Sequence, residues 1–267
     1  MKRLAVILVF LTALQPACAA PKMPSTPCCD VVELRQYITY PGKRDELIGM
    51  FDREFIEPQE AVGIRVLGQF RDINDPHRFT WLRGFASMAE RKQALGDFYF
   101  GPLWKSWASR ANATLYDNDD VLLLRPASPG SGFAVDPATR APRDATAPHA
   151  GFVVATIYYF KQEAGADFIR HFDAELAQVF TRGGARILAR YVSEKSPNTF
   201  DRLPVRENVN VFVWFARFAD RAAYDQFLDR LASDRHWRDD LFAPLYKSLT
   251  RAPETLMLTP SARSLIR

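Results

Sequence analysis

Cysteine and histidine are scarce: three and four residues in a chain of 267. No CxxC spacing occurs, so the sequence supports no zinc or thiol redox site built on cysteines. No His-x-His or His-Glu-x-x-His spacing occurs, so the sequence supports no first-row metal site. Gly-x-Ser-x-Gly, a phosphate-binding loop and Gly-x-Gly-x-x-Gly are also missing, and no motif suggests a cofactor. Beyond the first residues, no stretch is long and apolar enough to span a membrane. Lysines and arginines are dispersed, so the formal charge of +4 and the pI of about 9.0 give no nucleic-acid footprint.

What remains is an ordinary globular composition, 48% hydrophobic and 25% charged. It is rich in aromatics, with 20 Phe, 9 Tyr and 5 Trp, as packed sheet faces or an apolar pocket require. Residues 1–19 read as a signal peptide. Lys2 and Arg3 precede the apolar run Leu4 to Leu14, and Ala17-Cys18-Ala19 supplies a small-x-small cleavage site. The expected location is therefore periplasmic or secreted, and losing Lys2 and Arg3 leaves a net charge of +2. Cys18 also permits a lipoprotein, although Gln15 occupies the position where lipidation signals carry an apolar residue. Cys28 and Cys29 fall in an arm over 20–30. Adjacent cysteines rarely pair with each other, so they read as incidental.

The chain repeats itself. Val32 to Phe70 aligns with Val153 to Tyr191 at a shift of 121, and Phe79 to Phe85 with Phe212 to Phe218 at a shift of 133. The second copy is thus 12 residues longer between two strands, in the polar stretch Glu194 to Asn208. Gly101-Pro102-Leu103-Trp104-Lys105-Ser106 recurs as Ala243-Pro244-Leu245-Tyr246-Lys247-Ser248 and reads as a packing element. Domain boundaries follow at 31–126 and 151–260, with a tail over 261–267. Between them, residues 127–150 hold four prolines, two glycines and seven alanines, a linker with too little apolar mass to pack.

Each copy reads strand, helix, strand, strand, helix, strand. Val31 to Tyr40, Ile64 to Phe70, Phe79 to Phe85 and Val121 to Leu124 have strand composition. Leu47, Phe51 and Phe55 make one helix face, repeated as Phe168, Phe172 and Leu176, and Pro58 argues against continuation. Ser87 with Glu90 is a capping box, matched by Asp220. Asp117 to Asp120 reads as a solvated turn. The order is that of the ferredoxin-like unit, an α+β fold. Two such sheets, apolar on both faces, can cover each other and close a barrel, within one chain as a monomeric pseudo-dimer or between chains as a homodimer.

Glu33-Leu34-Arg35-Gln36-Tyr37, Pro41-Gly42-Lys43, Gly63, Trp81, Phe85-x-Ser87 with Arg91, and Trp104 with Trp107 resemble the NIPSNAP family. The second copy keeps Tyr158, Gly184, Trp214 and Phe218 but has Val154-Ala155-Thr156-Ile157-Tyr158 in place of the Glu-Leu-Arg stretch. The resemblance implies a dimeric α/β-barrel fold related to small-molecule-binding and monooxygenase-like proteins. It implies no reaction.

Glu33, Arg35 and Tyr37 share one strand face by the period of two. Trp81 and Arg83 are candidates for the same face. Inside a barrel or pocket they would hold a small apolar or anionic ligand, with His77 pointing in from its turn. The bland alternative is a Glu33–Arg35 pair between the two sheets. A haem reading rests on His171 or His236 alone. Three roles stay open: a binding or interaction module, a cofactor-independent monooxygenase or isomerase-like enzyme, and a second copy that only stabilises the first.

Overall fold

The computed structural model describes residues 28–267. The signal segment and Cys18 lie outside the described residues. The first half runs β1 (Val31–Thr39), α1 (Arg44–Met50), α2 (Ile56–Ala61), β2 (Arg65–Asp72), β3 (Arg78–Phe85), α3 (Met88–Tyr99), α4 (Pro102–Asn112) and β4 (Leu115–Pro126). The second runs β5 (Phe152–Tyr159), α5 (Ala166–His171), α6 (Ala177–Gly183), β6 (Arg186–Ser193), β7 (Val211–Phe218), α7 (Arg221–Ser233), α8 (Phe242–Ser248) and β8 (Glu254–Pro260). All eight strands pair into one closed antiparallel barrel in the order β1-β3-β2-β8-β5-β7-β6-β4. Each half thus contributes four neighbouring strands, and the seams between halves are the short β2–β8 and β4–β6 pairings. The barrel closes within one polypeptide.

Local irregularities repeat between the halves. A π-helical stretch joins α1 to α2 at Phe51–Phe55 and α5 to α6 at Phe172–Leu176. The β2–β3 register slips between Val66 and Gly68, and the β6–β7 register between Ile187 and Ala189. Gly63 and Gly184 both take positive φ, 92° and 111°, to turn the chain from helix into strand, a conformation that a side chain would strain. The two N-caps are as expected: Ser87 Oγ accepts from Glu90 N and Asp220 Oδ1 from Ala223 N.

The strands alternate between two cores. Val32, Leu34, Leu82, Leu122 and Leu124 point into the barrel and meet Val153, Ala155, Ile157, Val213, Phe215, Leu256 and Leu258 there. The opposite faces pack under each half's own helices.

Several expectations need correction. Pro58 does not end the helix. The π-helical stretch restarts the hydrogen-bond ladder, so Pro58 falls in the first turn of α2, where a missing N–H costs little. Asp117 to Asp120 belong to β4 rather than to a turn, in a segment whose register against β1 is irregular. Residues 127–150 do pack: Phe133 is buried inside the barrel against Tyr191 and Phe215. One large aromatic in a suitable place outweighs a linker-like composition. The tail over 261–267 is also fixed. Leu265 and Ile266 donate backbone hydrogen bonds to Leu67 O, and Ile266 joins the barrel interior. Finally, Cys28 and Cys29 are joined by a disulfide with Cα atoms 3.8 Å apart. Cys29 is buried over Gly84, where a Cβ would come within 2.3 Å of its sulfur, so only glycine leaves room for it.

Candidate functional site

The strand period of two puts Glu33, Arg35 and Tyr37 on the face of β1 that the first half's helices cover. They are neither inside the barrel nor between two sheets, because Val32 and Leu34 occupy the interior. Antiparallel register sets Arg83 opposite Glu33 and Trp81 opposite Arg35 on β3. Arg91 enters from α3.

One carboxylate holds three guanidiniums. Glu33 Oε2 accepts from Arg35 Nη1 at 2.6 Å and from Arg83 Nε at 2.7 Å, and Glu33 Oε1 accepts from Arg91 Nε at 2.7 Å. All four residues are fully buried. Burial pushes the Glu33 carboxyl up, but Arg83, Arg35 and Arg91 outweigh it and hold the group far below the usual carboxylate range. Two positive charges are left over. Among the described residues, Glu33 is the only acid ion-paired with any of the three arginines.

Beside this cluster lies a small cavity of about 70 Å³. The helix face Leu47, Phe51 and Phe55 forms one wall, with Phe98 and Trp104 beside it. Tyr37, Trp81 and Tyr99 separate the cavity from the arginines. Arg35 Nε donates to Tyr37 Oη at 2.7 Å, and Arg83 Nη1 to Tyr99 Oη at 3.3 Å. Both guanidiniums also face the Trp81 ring, at 5.6 and 5.1 Å from its centroid. Each tyrosine oxygen is therefore an acceptor toward arginine and keeps its own proton to donate. Burial raises the Tyr37 phenol above its ordinary value, so the group stays protonated and can donate. Trp81 Nε1 and Gln59 Oε1, both on buried cavity-lining residues, have no hydrogen-bond partner among the described residues.

The second half completes this site. Its long β6–β7 connection crosses to the first half: Leu203 lines the cavity, and Phe200 packs on Tyr99 with ring centroids 5.9 Å apart. Arg91 Nη1 donates to Asn198 Oδ1 at 3.0 Å and to Thr199 Oγ1 at 3.1 Å.

Of the residues read as a site, Arg35, Tyr37, Trp81 and Arg83 are brought together. His77 is not. It stays in its turn, where its backbone N–H donates to Asp75 Oδ1 and its carbonyl accepts from Thr39, and it does not line the cavity. Arg91, Tyr99, Gln59 and the 198–203 segment were missed, because nothing in a single helix or loop says which partner it will meet. The haem reading does not fit. His236 has both ring nitrogens engaged, by Asp240 at 2.8 Å and Glu175 at 3.1 Å, and His171 is exposed.

The second half has its own aromatic cavity of about 130 Å³ beneath its helices, lined by Tyr158, Trp214 and Tyr224 among others. There the four charged positions are Val154, Thr156, Ala216 and Tyr224.

Comparison with curated proteins finds no match. Among solved structures, a protein of Fusobacterium nucleatum subsp. nucleatum ATCC 25586 named "Putative monooxygenase" aligns at 13% identity over 91% of this chain and 96% of its own, with a TM-score of 0.54. An anthrone oxidase-like protein aligns at 11% identity over 87% of this chain and 93% of its own, with a TM-score of 0.51. Both show a shared α/β-barrel fold. A NIPSNAP family protein of Agrobacterium tumefaciens str. C58 aligns at 16% identity over 45% of this chain and 93% of its own, with a TM-score of 0.36. The NIPSNAP family model matches residues 32–129, the segment that holds β1 to β4 and the whole charged cluster, so the first half of the chain carries a NIPSNAP domain.

Proposed function

We propose that this chain is an exported small-molecule-binding protein built from two tandem ferredoxin-like modules, with its ligand site in the NIPSNAP half. The observation that carries the reading is the cavity bounded by Phe51, Phe55 and Trp104 on one side and by the hydroxyl-bearing Tyr37 and Tyr99 on the other. Aromatic walls with a few convergent polar groups suit a flat, mainly apolar molecule held by one polar edge. The shared order of elements, the matched π-helical stretches and the matched bulges support the tandem reading. The basic-apolar-small N-terminus supports export, and the Cys28–Cys29 disulfide agrees with an oxidising compartment.

Native mass spectrometry on protein purified without refolding tests the reading. An additional non-covalent mass is expected, released by denaturation and absent from Leu115→Trp, which fills the cavity from a half-buried position. A ligand-free mass from every host and growth condition tried would count against it. A second reading, a cofactor-independent monooxygenase or isomerase-like enzyme, draws on the arginine-backed hydroxyls of Tyr37 and Tyr99, which could stabilise a developing oxyanion. The names of the two barrel neighbours point the same way, but fold likeness alone carries no reaction.

A further inference from the structure

The charged cluster beneath the cavity has a control inside the same chain. Glu33, Arg35, Arg83 and Arg91 correspond to Val154, Thr156, Ala216 and Tyr224 in the second half. That half forms the same strands, the same π-helical stretch and the same bulge without a single charge at those positions. The module therefore does not require the cluster in order to fold. Physical chemistry agrees: a buried ion cluster is often no more stabilising than apolar residues of the same volume. This one is worse than balanced, since three fully buried guanidiniums face one carboxylate. An uncompensated buried charge is expensive, and this chain retains two. Arg35 Nη2 and Arg83 Nη2 also lack any hydrogen-bond partner among the described residues.

The surplus is aimed at the cavity. Arg35 and Arg83 each donate to a tyrosine oxygen, and both tyrosines line the cavity with a proton still to give. Donation by a guanidinium polarises the phenol and makes it a stronger donor in turn. Trp81 Nε1 is a further unpartnered donor on the same wall. Three donors, two of them backed by unbalanced cations, thus belong to residues that line a mainly apolar chamber, whose other polar lining is Gln59, Asn112 and Asn118.

We propose that the ligand of this cavity is a flat organic acid bound as its anion, its oxyanion accepting from Tyr37 and Tyr99 and its apolar body lying among Phe51, Phe55 and Trp104. The inference rests on the binding reading above and adds the charge of the ligand. The second half's cavity, lacking the arginines, takes no part in anion binding.

Benzoate and its neutral isostere benzamide are suitable probes, titrated by tryptophan fluorescence and calorimetry. Benzoate is expected to bind at least about tenfold more tightly, the usual advantage of a charge-assisted hydrogen bond over a neutral one. Tyr37→Phe with Tyr99→Phe keeps the walls and removes the hydroxyls. It should erase most of that preference, weakening benzoate more than benzamide, which loses only neutral hydrogen bonds. A fourfold variant, Glu33→Val, Arg35→Thr, Arg83→Ala and Arg91→Tyr, transplants the second half's residues and should abolish the preference in a folded protein. If the fourfold variant does not fold, the tyrosine pair still decides the matter. Equal affinity of wild-type protein for the two probes overturns the anion assignment alone. A preference for benzoate that survives loss of both hydroxyls overturns it too. If neither probe binds, this inference falls, while the binding reading stands or falls separately on the native mass spectrum.

Discussion

Asp52 sits in the π-helical stretch Phe51–Phe55, buried against the C-terminal segment, where its Oδ1 accepts from Ser261 Oγ at 3.1 Å. Burial pushes its carboxyl up from 3.8 to about 6, although Ser261, Arg263, Arg71 and Arg140 all pull the other way. A pKa raised on folding means that the folded protein binds the proton more tightly than the unfolded chain. Stability from this group is complete below the unfolded value and is lost as pH rises through about 6. The loss is on the order of 3 kcal/mol. Thermal melts of wild-type protein and Asp52→Asn between pH 4 and 7.5 read this directly. The variant should lack the part of the wild-type decline that runs between about pH 4 and pH 6. Parallel curves would show that Asp52 stays ionised in the folded state. This coupling was invisible in the sequence, where Asp52 is one polar residue on the flank of the Leu47, Phe51, Phe55 face. What buries it is a C-terminal segment some two hundred residues away, and chain separation hides such contacts.

The β6–β7 connection shows how much of an element is legible and where legibility stops. A shift change from 121 to 133 between the copies places an insertion of the right length between the right strands, because strands hold their alignment while loops absorb length. The destination of that insertion is tertiary. Phe200, Leu203 and Val205 join the first half's core rather than their own. The same limit applies to Glu33 and Arg83. Period-two alternation predicts that Glu33, Arg35 and Tyr37 share a face, but only the β1–β3 register sets Arg83 opposite Glu33. Asn198 is the keystone of the insertion. Its Nδ2 donates to Phe200 O and Leu203 O, and its Oδ1 accepts from Phe200 N and from Arg91. Asn198→Ala should destabilise the protein by about 2 kcal/mol, since it leaves a buried guanidinium and two loop carbonyls short of partners. Arg202→Ala, on the exposed side of the same loop, should stay within about 0.5 kcal/mol of wild type. Urea melts of the two variants compare them, and equal losses would mean that the insertion is held by packing alone.

At the scale of the molecule, one barrel interior is shared by two halves that are each incomplete. Val32, Leu34, Leu82, Leu122 and Leu124 of the first half share one buried cluster with Val153, Ala155, Ile157, Val213, Phe215, Leu256 and Leu258 of the second. Each large apolar side chain exposed by separation costs about 2 kcal/mol, and five such losses consume the 5–15 kcal/mol that a whole domain typically has. The hydrogen-bonded seams are short, with three residue pairs at β2–β8 and three at β4–β6. Ladder bonds therefore cannot hold the halves together without the shared core. The halves are also no longer interchangeable. The first lacks an insertion to cover its own cavity, and the C-terminal segment from Ser261 to Ile266 is tied to Gln69 and Leu67 of β2. Two first halves could close a barrel by symmetry but would leave both cavities uncovered and both β2 edges without that segment. Residues 28–150 and 151–267, produced separately and mixed, should therefore assemble as a one-to-one complex in preference to either homodimer. Native mass spectrometry and size-exclusion chromatography distinguish the species. A stable, soluble monomer from either fragment alone would show that the barrel interior is not the source of stability. A first-half homodimer that outcompetes the mixed complex would show that the insertion and the C-terminal segment contribute little to recognition between the halves.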